Sequence, residues 1–78
     1  MNTQRYTTVQ VIGGSLDESR AKDICARRLS AVIQELLFSQ SIFSVTKNES
    51  RVIHQVYGSF VEHRIFVESP DPLPEMKF

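Results

Sequence analysis

Between Arg51 and Glu68 the chain carries apolar residues on both faces of what reads as a β-hairpin, yet it offers one convincing helix to cover one of those faces. The second face needs a cover from elsewhere, which points to a partner surface. Gly58-Ser59 lies between two β-rich runs, and a two-residue Gly-X loop suits a type II′ turn because glycine takes φ > 0 there without strain. With that turn Tyr57 faces Phe60, Val56 faces Val61, His54 faces His63 and Val52 faces Ile65, with Val67 further along the same side. Side chains alternate along a strand, so Ile53, Gln55 and Tyr57 share the opposite face with Phe60, Glu62, Arg64 and Phe66. Aromatic bulk mixed with charge is typical of a surface that meets another protein. The candidate partner-binding residues are therefore Tyr57, Phe60, Glu62, Arg64 and Phe66. Gly58 has a second reading, as a bulge in one long bent strand, which would invert the faces beyond it.

Upstream, Arg5 to Ile12 alternate, placing Thr7, Val9 and Val11 on one side of a strand and Tyr6, Thr8, Gln10 and Ile12 on the other. Gly13-Gly14 ends it. Ser15-Leu16-Asp17-Glu18 reads as a capping box that opens a helix. Ala21, Ile24, Cys25, Leu29, Val32, Ile33, Leu36 and Leu37 then recur at spacings of three and four, a stripe that ends near Phe38 or Ser39. Such a rod, near 34 Å at about 1.5 Å per residue, would overhang a typical strand of about 20 Å. Glu18 with Lys22, Arg20 with Asp23, and Asp23 with Arg27 are spaced for ion pairs on its outer side. Ile42 to Lys47 reads as a further strand, and Asn48-Glu49-Ser50 as a turn before the hairpin. The expected fold is a two-layer α+β domain over residues 1–68, one long helix on a small antiparallel sheet, in the order β-α-β-β-β. Residues 69–78, with three prolines, are expected as an extended tail. Proline lowers the entropy lost on docking, so this tail is also a candidate ligand segment, though such tails are more often flexible.

At 78 residues, 41% apolar and 23% charged, the chain suits one small folded domain. A core of this size supplies about 3 to 5 kcal/mol, so self-association, as a dimer, is expected to help it. Nine basic and nine acidic residues cancel, which removes the charge excess that drives general nucleic-acid binding. A lone cysteine, a polar start and the lack of any apolar run of membrane-spanning length make a cytoplasmic protein without a membrane role the expectation.

Cys25, His54 and His63 together supply a thiolate and two imidazoles, a recognised zinc set. The paired-ligand spacing is missing and no fourth ligand is evident, so no metal is expected and the simpler reading is an inert core cysteine beside a facing histidine pair. Two imidazoles held together resist double protonation, so acid is expected to loosen the hairpin. Gly13-Gly14-Ser15 lacks a phosphate-loop pattern, and Asp17 and Glu18 would repel a phosphate there. No nucleophile motif marks a catalytic triad, so neither catalysis nor a cofactor is expected.

With Val9-Gln10-Val11-Ile12-Gly13-Gly14-Ser15 leading into the helix, the first half of the chain resembles the dodecins, small flavin-storing proteins that assemble into hollow dodecamers. The resemblance implies an oligomeric carrier of a small ligand or cofactor, with the second sheet face buried between subunits. Dodecins stack their flavin on a tryptophan that this chain lacks, so no flavin-binding position carries over. In size and spare contact surface the chain is also similar to small proteins of phages and mobile elements, such as anti-CRISPR proteins. The leading expectation is accordingly a non-enzymatic protein-binding module, an inhibitor acting by steric occlusion of a host protein, and the carrier is the alternative.

Overall fold

The computed structural model describes residues 1–39 and 42–75. Its elements run β1 (Asn2–Ile12), α1 (Glu18–Ser39), β2 (Ser44–Gln55) and β3 (Gly58–Ser69). The three strands form one antiparallel sheet of order β1-β3-β2, and α1 packs against β1 and β3 on one face. This is the small α+β architecture expected from the alternating strands and the apolar helix stripe.

Three details of strand, turn and cap placement differ from the sequence reading. First, the polar Asn48-Glu49-Ser50 makes no turn, because these residues continue β2 as Asn48↔Ile65, Glu49↔Arg64 and Ser50↔His63 across to β3. Two expected strands thus fuse into one, and the order is β-α-β-β. An irregularity between Val45 and Lys47 is the only break in its pairing. Second, the hairpin loop is Val56-Tyr57, flanked by the pair Gln55↔Gly58. Neither loop residue takes a positive φ; Gly58, just after the loop, does so at 151°. The glycine is needed, but two steps later than a Gly-X turn would place it. Third, the helix cap is Asp17, whose Oδ1 accepts the Arg20 N–H at 2.8 Å, while the Ala21 N–H bonds the Asp17 carbonyl. Ser15 is spent in a tight turn with Gly14 at φ 61°, closed by Gly13 and Leu16 exchanging main-chain bonds of 2.9 and 3.0 Å. A carboxylate at that helix end is also favoured by the helix dipole.

The helix does not overhang. Strands of 11 or 12 residues reach about 40 Å at roughly 3.3 Å per residue, more than the 22-residue helix at about 33 Å. Ala21, Cys25, Leu29, Val32 and Leu36 are buried along α1, Ile24 and Ile33 are half-buried, and Leu37 is exposed. Of the expected helix ion pairs, Glu18–Lys22 and Asp23–Arg27 form at 3.5 and 3.1 Å; Arg20–Asp23 is not among those of the described residues.

The core has two parts. Tyr6, Leu29, Val32, Leu36, Ile65 and Val67 fill one, and Ala21, Cys25 and Val61 the other. Between them, along the pair Thr8↔His63, runs a polar waist. There Arg28 reaches from the helix to Thr8 Oγ1, the Val9 carbonyl and Gln10 Oε1 at 3.4, 3.1 and 3.0 Å. Residues 70–75 do not leave the domain: Leu73 packs on the larger core, the Tyr6 hydroxyl donates to the Pro74 carbonyl at 2.7 Å, and Asn2 bonds the Pro70 carbonyl. Residues 76–78 of the candidate ligand segment lie outside the described residues.

The two sheet edges differ. Along β1, Gln4, Arg28 and Gln10 donate to the carbonyls of Arg5, Val9 and Val11 at 3.2, 3.1 and 3.3 Å. On β2, no side chain among the described residues donates to a carbonyl of the strand itself; Thr46 donates instead to the Phe66 carbonyl of β3 at 3.3 Å.

Candidate functional site: the open face of the sheet

With α1 on one side, the other side of the sheet is bare. Its central row is Phe60, Glu62, Arg64 and Phe66 on β3, four of the five candidate partner-binding residues. Tyr57, the fifth, stands 88% exposed on the loop beyond Phe60 rather than in the sheet opposite it. The facial assignment survives the misplaced loop for a simple reason. Moving the turn two residues toward the N-terminus changes each cross-strand sum by an even number, so no side chain changes sides.

The central row is flanked by residues that sequence reasoning did not single out as a site. Val11, Val9, Thr7 and Arg5 of β1 stand opposite Phe60, Glu62, Arg64 and Phe66, and Ile53, Arg51, Glu49 and Lys47 of β2 stand on the other side. The face therefore has an apolar end, where Val11, Phe60 and Ile53 lie side by side near Tyr57, and a charged remainder. The alternation Lys47, Glu49, Arg51 was the available signal, and reading residues 48–50 as a turn hid it.

The charges form a connected chain. Lys47 meets Glu49 at 2.8 Å, Glu49 meets Arg64 at 2.8 Å, Arg64 approaches Glu62 at 4.0 Å, and Glu62 meets Arg51 at 3.0 Å. Lys47 also sits 5.8 Å above the Phe66 ring, a cation–π contact. Hydrogen bonds from Lys47, then from Arg64, hold the Glu49 carboxyl below its ordinary value of 4.5. Each pair is partly wet and stabilises little alone. Together they fix the orientation of long side chains, so less freedom is lost when a partner docks on them.

The histidines and the cysteine do not converge. His54 faces Ser59, with Nδ1 2.8 Å from its hydroxyl, and His63 faces Ser50 and Thr8, so the expected facing histidine pair does not form. Cys25 is fully buried, its thiol 3.9 Å from the Val61 carbonyl, and burial pushes its pKa up against a smaller opposing effect of Arg28. No cluster of metal-ligating side chains occurs among the described residues.

His63 retains an acid response without the expected pair. Its Nε2 contacts Asn48 Oδ1, which as an amide oxygen can only accept, so Nε2 carries the proton and the buried Nδ1 is left without a partner. Burial depresses its pKa below 6.5, so the unfolded chain binds the proton more readily than the folded one. The associated stability is complete above about pH 6.5 and is lost as pH falls through the lower folded value. The wild-type melting temperature should fall between about pH 7.5 and about pH 5.5, and His63→Phe should remove most of that fall. Equal falls in both proteins, read by circular dichroism, would place the acid response elsewhere. Glu49 titrates below this window and does not confuse the comparison.

No protein-family model, no curated protein and no solved structure matches the chain. Among the described residues, no helix is long and apolar enough to cross a membrane.

Proposed function

We propose that this chain is a protein-binding module whose contact surface is the open face of its sheet, and that it acts by occluding the surface it covers rather than by catalysis. The observation that supports this reading is the single-sided cover. One face of the sheet carries the helix, while the other presents Phe60 and Phe66, half-buried, with Val9 and Val11 45% and 63% exposed, beside a pre-ordered line of charges. Aromatic and arginine side chains are the usual energetic anchors of such contacts. Phe60 with Tyr57 supplies the apolar anchor, and Arg64 and Glu62 the charge specificity.

A tagged wild type and a Tyr57→Ala, Phe60→Ala double variant used as parallel baits in a native-host extract test this. The variant should keep the wild-type circular dichroism spectrum and lose a partner that the wild type retains. With that partner purified, affinity should drop at least about thirtyfold, the equivalent of one anchor side chain at about 2 kcal/mol. A folded double variant that binds undiminished refutes the site.

The oligomeric carrier of a small ligand remains as a second reading, favoured by one observation. The order of strand, helix and antiparallel strands, which together with Val9 to Ser15 carries the likeness to dodecins, is kept as β-α-β-β. In that reading the open face meets other copies of the chain, and light scattering should show a large closed assembly.

A further inference from the structure

The β2 edge offers a surface separate from the open face. On β1 the carbonyls of Arg5, Val9 and Val11 point outward, where Gln4, Arg28 and Gln10 reach them. Their β3 partners Phe66, Glu62 and Phe60 therefore direct their main chain toward β2, where they pair with Lys47, Arg51 and Ile53. By alternation, the groups that β2 turns away from its own sheet are those of Asn48, Ser50, Val52 and His54. These form an unpaired ladder, and α1 is displaced toward the β1 side and does not cover it.

The strand is complementary to itself in one register. An antiparallel copy that keeps the faces matched can overlap nearly all of β2 with its two-fold axis at Glu49 or at Ser50. The first places Glu49 against the partner's Glu49 and Lys47 against the partner's Arg51, like charges directly opposed. The second places Glu49 against the partner's Arg51, Arg51 against the partner's Glu49, Asn48 against the partner's Val52 and Lys47 against the partner's Ile53. Opposite charges facing across strands stabilise a pair and like charges destabilise it. The irregularity between Val45 and Lys47 lies at the margin of this stretch, just beyond the Lys47–Ile53 pair. Beyond it, the Val56-Tyr57 loop of each protomer, 106% and 88% exposed, comes alongside the other's Ile42, itself 65% exposed.

We propose that two copies of this chain join along β2, antiparallel about a two-fold axis at Ser50, giving a continuous sheet of order β1-β3-β2-β2-β3-β1 with both helices on one face. The charge chain of each open face then continues into the other through the Glu49–Arg51 pairs. This goes beyond the proposed binding surface, which the pairing leaves bare and doubles in extent.

Light scattering behind size-exclusion chromatography should give the wild type a mass of twice 8.9 kDa. Ser50→Pro removes an outward N–H that the isolated protomer does not use, and should halve that mass while the circular dichroism spectrum persists. Ser50→Cys should form a covalent dimer on mild oxidation, whereas Thr3→Cys on the β1 strand should not; this arm stands even if the proline variant unfolds. A monomeric wild type, which would leave the edge to a strand from another protein, overturns the proposal. So does an assembly of any size that Ser50→Pro, still folded, leaves intact, or a Ser50→Cys protein that forms no covalent dimer.

Discussion

Tyr6→Ala should leave the chain unfolded at room temperature. The Tyr6 ring is 2% exposed, the largest side chain fully inside the domain, and it joins the helix, β3 and the C-terminal segment in one cluster. Truncating a buried aromatic costs about 3 to 5 kcal/mol, as much as a domain of this size has in total. Tyr6→Phe separates the ring from the hydroxyl. It should cost about 1 kcal/mol, the worth of one hydrogen bond, and should speed amide exchange in residues 71–75 while the sheet stays protected. Denaturant titration and hydrogen exchange read these two outcomes. Fast exchange in that segment already in the wild type would show that the Tyr6–Pro74 tie contributes nothing.

Ile65→Ala and Phe66→Ala, one residue apart, should behave as opposites. Ile65 is 1% exposed in the centre of the larger core, and its truncation should cost about 2 to 5 kcal/mol. Phe66 lies on the bare face under Lys47, so its truncation should cost about 1 kcal/mol, the cation–π contact and some apolar cover. Urea midpoints for both variants make the comparison. Equal losses would mean that the bare face is covered in solution.

The helix and the division of the sheet into two faces were legible because their signals are periodic: Ala21, Cys25, Leu29, Val32 and Leu36 repeat at helical spacing, and Val61, Ile65 and Val67 alternate with Glu62, Arg64 and Phe66. Where the signal was local it misled. Residues 48–50 are polar on both faces of β2, so period-two alternation vanishes and a strand imitates a turn. Gly58 marks a hairpin correctly but does not say whether it belongs to the loop or follows it. The candidate site was legible as far as β3 supplied it. Its flanks came from strand pairing, which depends on contacts between distant residues, and the same pairing separated His54 from His63.

The glutamine and arginine side chains that donate to three outer carbonyls of β1 have a wider consequence. A sheet with two free rims can recruit strands without limit, as fibrils do, whereas here one of the two rims is partly occupied by its own side chains. A second copy laid along β2 would use up that rim on both protomers and leave outward only β1, where Gln4, Gln10 and Arg28 already hold three carbonyls.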